Sequence, residues 1–96
     1  MFWDIRLTAK SCKKALRLPK RVGETFQLLL KEIELYGPLM NKWPNYGKLS
    51  KNCYHCHLKK GKPTYVAVWR VVNKKEKIVE VVYVGTHEKA NYDILR

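Results

Sequence analysis

The residues best suited to chemistry lie in one stretch, Cys53-Tyr54-His55-Cys56-His57, followed directly by Leu58-Lys59-Lys60-Gly61-Lys62. Three chemistries are open to it. The first is metal binding, since thiols and imidazoles are metal ligands. Zinc sites usually draw two separated ligand pairs with a turn inside each pair. Here the candidates crowd into one segment, with His87 the outlier, and a strand would send Cys56 and His57 to opposite faces. No metal site is expected. The second is haem attachment, because Cys53 to His57 fits the C-x-x-C-H pattern. That chemistry belongs to exported chains, and Asp4 and Arg6 interrupt the apolar N-terminus, so no signal peptide is expected there. No cofactor is expected.

The third is RNA chemistry. Read as a strand, the stretch puts His55, His57 and Lys59 on one face and Tyr54, Cys56 and Leu58 on the other. Lys60 and Lys62 follow in a turn, Arg70 lies on the next strand, and His87 and Tyr92 come after the last strand. Cations hold phosphates, and imidazoles move protons near neutral pH. A ribose 2′-hydroxyl attacking its neighbouring phosphate needs a base. The leaving 5′-oxygen needs an acid, and the charged transition state needs donors. The histidines, Tyr92, the lysines and Arg70 include all three roles. The same side chains also read as ordinary exposed strand and loop positions, and residue types alone do not choose.

Composition narrows the choice. The chain has 96 residues, enough for one small domain, and 46% of them are hydrophobic, which is globular rather than disordered. Lys and Arg number 20 against 8 Asp and Glu, a formal charge of +12. Such an excess points first to a polyanion such as nucleic acid. An anionic lipid surface is the weaker reading, because no basic amphipathic helix with a broad aromatic-rich face is evident. No apolar run approaches the roughly 20 residues of a membrane span. A cytoplasmic location with free thiols is expected.

The elements that must position these residues read as follows. Residues 2–7 alternate, with Trp3, Ile5 and Leu7 inward, as a half-buried strand. Thr8 caps a short helix whose inward face is Cys12, Ala15 and Leu16, with Lys10, Lys13, Lys14 and Arg17 outward. A second helix runs from Lys20 to Tyr36 on the stripe Val22, Phe26, Leu29, Leu30 and Ile33, and Gly37-Pro38 stops it. Residues 38–50 read as a loop in which Trp43 and Tyr46 close over the core edge. Three strands follow, at Asn52–Lys59, Thr64–Val72 and Lys77–Val84, and the apolar middle one is central. Lys89 to Leu95 is a short helix or an extended tail. The order β-α-α-β-β-β predicts an α+β fold, with a helical hairpin packed on one face of a mostly antiparallel sheet.

At this point the chain resembles a known family. Lys48-Leu49, Tyr54-His55-Cys56-His57-Leu58, Tyr65-Val66-Ala67-Val68-Trp69-Arg70-Val71 and the ending Val82-Tyr83-Val84-Gly85-Thr86-His87-Glu88-Lys89-Ala90-Asn91-Tyr92 are similar, in their shared order, to RelE-type toxins of toxin–antitoxin systems. The resemblance implies one toxin domain over residues 1–96. It implies a ribosome-dependent mRNA endonuclease, an mRNA interferase that inhibits translation. Cleavage would proceed by 2′-hydroxyl attack without a metal and leave a 2′,3′-cyclic phosphate or a 3′-phosphate. The implied partners are the ribosome, its mRNA and a cognate antitoxin, which would be acidic where it meets the basic groove.

By position, His55 and His57 stand where RelE has two lysines. His87 stands where RelE has an arginine and several relatives a histidine, and Tyr92 stands near the C-terminal tyrosine. These four are the expected catalytic residues, with the acid and base left unassigned among the imidazoles. Lys59, Lys60, Lys62 and Arg70 are the expected RNA-binding residues. The arginine that RelE carries on its middle strand falls at Val66, so phosphate stabilisation must come from Lys60, Lys62 or Arg70. Two alternatives remain: a non-catalytic RNA- or ribosome-binding module, and a gyrase-inhibiting toxin of the ParE branch. The histidine and tyrosine near the C-terminus argue against the latter.

Overall fold

The apolar stripe at helical period does form a helix, and the alternating segments do form strands. The computed structural model describes residues 2–92. The chain runs β1 (Asp4–Leu7), α1 (Ala9–Ala15), α2 (Lys20–Tyr36), β2 (Gly47–Ser50), β3 (Cys53–Lys59), β4 (Tyr65–Asn73) and β5 (Ile78–Thr86), then a 3₁₀ turn at His87–Lys89. The strands make one sheet in the order β1-β5-β4-β3-β2. β1 runs parallel to β5, and the other neighbours are antiparallel. The fold is α+β, and β4 holds the central position that its two apolar faces require. The expected C-terminal element at 89–95 is described only as far as Tyr92, and its remainder lies outside the described residues.

Two local expectations are corrected. The segment 38–50 is not all loop, because Gly47–Ser50 pairs with β3 as an additional edge strand. It has one strongly apolar residue, Leu49, so it shows no two-residue alternation; a short polar edge strand is what an exposed sheet margin tolerates. In α1, Cys12 is exposed and Leu16 is 83% exposed, whereas Ser11 is fully buried. The Thr8 hydroxyl donates to Ser11 Oγ at 2.8 Å and accepts from the Ser11 amide at 3.1 Å. A satisfied serine can take the inward position, so the helix turns relative to its apolar pattern. Ala15 and Leu18 do pack on the core.

The main core joins α2 to one sheet face. Val22, Phe26, Leu29 and Ile33 meet Tyr54, Cys56, Leu58, Ala67, Trp69, Val79 and Val81. Trp69 is fully buried at its centre and donates its indole N–H to the Pro38 carbonyl at 3.0 Å. Tyr46 stacks on Tyr54 with ring centroids 5.9 Å apart, and Trp43 donates to Glu32 at 2.9 Å, so both loop aromatics close the core edge as expected. At the helix end, Gly37 takes φ 96° and its amide caps the Ile33 carbonyl at 2.8 Å. The opposite sheet face has its own small core of Cys53, Val66, Val68 and Tyr83, onto which Leu49, Val82, Ala90 and Tyr92 pack.

Candidate active site

Strand register builds the site. His55 pairs with Val68 and His57 with Val66 on β4, while Val66 pairs with Gly85 and Tyr65 with Thr86 on β5. β5 therefore runs two residues beyond the expected end at Val84. The His87 amide then donates to the Thr64 carbonyl at 2.7 Å, which ties the 3₁₀ turn to the start of β4. From there the chain crosses the face that carries His55 and His57. His57 and His87 meet edge-on at 5.7 Å between ring centroids. His87 and Tyr92 do the same at 5.7 Å, and Tyr92 lies 5.6 Å from His55. All three histidines of the chain and Tyr92 thus form one chain of rings.

The floor under these rings is apolar and rigid. Val66 and Val68 are fully buried beneath it. Tyr83 lies beside them, and its hydroxyl donates to the Thr86 carbonyl at 2.7 Å, bracing the residue that precedes His87. Gly85 leaves room for that hydroxyl, since a Cβ there would lie 2.8 Å from it. On the β2 side, a Cβ at Gly47 would lie 3.0 Å from His55 Nε2, so the bare glycine lets the imidazole rest over the edge strand. Gly47, Tyr83 and Gly85 were not expected as site residues. Their sequence signals are ordinary loop and strand residues, and only the pairing register brings them under the rings.

The site holds polar atoms away from water. His55 Nδ1, His57 Nδ1 and the Tyr92 hydroxyl are buried without a hydrogen-bond partner among the described residues. Leaving such a group unpaired costs about 1–3 kcal/mol. Burial, then the nearby imidazoles of His57 and His87, holds His55 below the ordinary histidine range. Burial, then His87 and Lys60, does the same for His57. Both strand imidazoles are therefore neutral bases near pH 7. Burial raises the Tyr92 phenol, which keeps its proton and stays a donor.

The expected RNA-binding residues divide into two groups. Lys59, Lys60 and Lys62 are exposed at the β3–β4 turn, next to the His57 end of the row. Arg70 is on the same face but pairs with Cys53, beyond His55. Its guanidinium is engaged by Glu80 at 2.8 Å, and it stands outside the ring cluster. Cys56 is buried in the main core, where burial pushes its thiol up to about 12. Cys56 and His57 thus face opposite sides of the sheet. Among the described residues, no group of three or more His, Cys, Asp or Glu is arranged to hold a metal ion. No described helix is long and apolar enough to cross a membrane.

The chain matches no protein-family model, and no curated protein matches it. Solved structures do. The free-state structure of a double mutant of Escherichia coli toxin RelE is 20% identical, with a TM-score of 0.73 over 99% of this chain and 94% of that one. A chain of the archaeal RelE–RelB complex from Pyrococcus horikoshii is 18% identical, with a TM-score of 0.72 over 94% of this chain and all of that one. The isolated E. coli RelE toxin is 22% identical, with a TM-score of 0.67 over 96% of this chain and 92% of that one. These likenesses extend along nearly the whole chain.

Proposed function

With the RelE toxin fold as premise, we propose that this protein is a toxin that cuts ribosome-bound mRNA by 2′-hydroxyl attack. The observation that carries the reading is the convergence of His55, His57, His87 and Tyr92 on one sheet face at 5.6–5.7 Å ring spacing. A binding module needs the positive charge but assigns no work to three clustered imidazoles, two of them with a buried, unpartnered nitrogen.

The reaction balances with side chains alone. A neutral strand imidazole, His55 or His57, takes the 2′-hydroxyl proton as the 2′-oxygen bonds to phosphorus. The bond from phosphorus to the 5′-oxygen breaks, and His87, at the exposed edge of the cluster, gives that oxygen a proton. The products are a 2′,3′-cyclic phosphate and a 5′-hydroxyl. Proton transfers of this kind contribute roughly 10²–10⁴-fold each. The Tyr92 hydroxyl donates to the phosphoryl oxygens or packs its ring on the base. Lys60 and its neighbours in the β3–β4 turn hold the charge that builds at phosphorus. Val66 is buried and apolar, so the middle strand supplies no cation there.

A cognate antitoxin belongs to the same proposal. A relative of this fold was crystallised as a RelE–RelB complex, and a chain of charge +12 calls for an acidic covering segment. The test is primer-extension mapping of a defined mRNA on purified ribosomes, with wild type, His87→Ala and the His55→Ala/His57→Ala pair. Wild type is expected to cut, and each variant to lose roughly 10²-fold or more. Undiminished cutting in both variants sinks the site, and no cutting by wild type sinks the activity.

A further inference from the structure

Beside the ring cluster lies a second feature that the proposed reaction does not use. A cavity of about 350 Å³ opens between α1 and the C-terminal turn, lined by Lys10, Lys14 and Lys89 with Ser11, Tyr83 and Asn91. Three lysines line it and, among the described residues, no Asp or Glu does. Other cavities of similar size differ in this respect: the one beside Trp43 includes Glu32, and the one beside Trp3 includes Asp4 and Glu34. Lys14 is held in place, its Nζ lying 5.6 Å from the centre of the Tyr83 ring, a cation–π contact.

Its position relative to the rings is set by the chain itself. His87 and Tyr92 face the cluster, while Lys89 and Asn91, between them in sequence, line the cavity. The segment 87–92 is therefore a partition with imidazoles on one side and lysines on the other. Tyr83 belongs to both, since it lines the cavity and braces Thr86 ahead of His87. An RNA strand whose scissile phosphate lies on the rings can pass a flanking phosphate over this partition. Lysine holds phosphate as a point charge, without the fixed geometry that base recognition requires.

We propose that this cavity is a subsite for a phosphodiester flanking the cleaved one on the bound single strand, contacted by Lys10 and Lys89. The inference rests on the RNA-cutting reading above, and its test separates the two. The probe is a fluorescent 2′-O-methyl RNA of about twelve nucleotides, long enough to span such a groove and unable to react. Affinity is measured against salt for wild type, for Lys10→Gln/Lys89→Gln, and for Lys74→Gln/Lys75→Gln at the β4–β5 turn. Each lost phosphate contact on a single strand removes about 0.7 from the slope of log affinity against log salt. The cavity pair is expected to lower that slope by about 0.7, for the one phosphodiester it holds, and the turn pair to leave it unchanged. Lys14 stays, so Tyr83 remains covered, and thermal unfolding checks that both exposed pairs leave the fold intact. An unchanged slope in the cavity pair, an equal loss in both pairs, or no binding by wild type overturns the subsite. The expected slope loss from a wild-type protein that cuts nothing on the ribosome upholds the subsite and sinks the endonuclease.

Discussion

The brace between Tyr83 and Thr86 invites a double-mutant cycle. Replacing Gly85 by alanine puts a methyl group 2.8 Å from the Tyr83 hydroxyl and 3.1 Å from the ring carbon that bears it. The ring is 8% exposed and cannot swing into solvent. It must shift within its packed surroundings, and in doing so it gives up the 2.7 Å bond to the Thr86 carbonyl. Overpacking costs about 1–3 kcal/mol, and losing the hydrogen bond costs about 1 more. Gly85→Ala should therefore destabilise by about 2–4 kcal/mol, lowering Tm by roughly 10–25 °C in a domain of this size. With Tyr83→Phe already in place, the hydroxyl is gone, and the same alanine meets only the ring carbon. Its cost should fall to about 1–2 kcal/mol. Any backbone cost of alanine at position 85 is common to both arms and cancels. The expected coupling is about 1–2 kcal/mol, measured by urea unfolding of the wild type, both singles and the double. Strict additivity would refute the idea that Gly85 is small to make room for the brace.

Three further outcomes are expected. Gly47→Ala places a methyl group 3.0 Å from His55 Nε2, so the imidazole pivots while the fold holds; ribosomal cleavage should drop several-fold with Tm nearly unchanged, and unchanged cleavage would remove His55 from the reaction. His55 and His57 titrate below their ordinary value when folded, so the unfolded chain binds more protons in that window. Stability should be complete above about pH 6.5, decline as pH falls through the lowered folded values, and decline less in the His55→Asn/His57→Asn variant, as followed by urea midpoints. The acid limb of the cleavage rate should likewise lie below pH 6.5. Among the thiols, Cys12 is exposed while Cys53 and Cys56 are buried and the Cys56 thiol is pushed up to about 12. Native protein should take up maleimide at Cys12 quickly and at the other two only on unfolding, as peptide mapping will show.

The sequence was most legible where one physical pattern dominated. The α2 stripe and the alternation through β3 were readable because a buried face must repeat at the period of its element. That alternation alone separated His55 and His57 from Cys56, and so separated the site from the core. The edge strand β2 was not readable, because Gly47–Ser50 is held by the backbone of β3 and not by an apolar face of its own. The inward turn of α1 was also hidden, since Ser11 is buried through a hydrogen bond to Thr8 that no hydropathy pattern displays. The meeting of His87 and Tyr92 with the β3 histidines depended on β5 staying paired through Thr86, where Gly85 looks like a strand breaker. The lysine-lined cavity was the least legible part. Lys10, Lys14 and Lys89 read as solvated charges, and only the packing of α1 beside the C-terminal turn draws them together.

On the RNA-cutting proposal, the same geometry lets a protein of charge +12 keep a proton-transfer site that is not itself strongly cationic. Burial and mutual repulsion hold His55 and His57 neutral, so they can accept protons but contribute little to holding phosphate. The holding charge must then come from outside the rings, and the fold puts it on two sides. Lys59, Lys60 and Lys62 stand at the β3–β4 turn, and Lys10, Lys14 and Lys89 stand beyond the partition at 87–92. Arg70 adds little, because Glu80 already engages it. A lysine at position 55 or 57 would hold phosphate better, but it would be protonated at neutral pH and would add positive charge beside the other imidazoles, discouraging their protonation. Placing lysine at both positions should therefore strengthen RNA binding while slowing cleavage near neutral pH. A variant that binds more tightly and cuts faster at pH 7 would show that the imidazoles are not the bases.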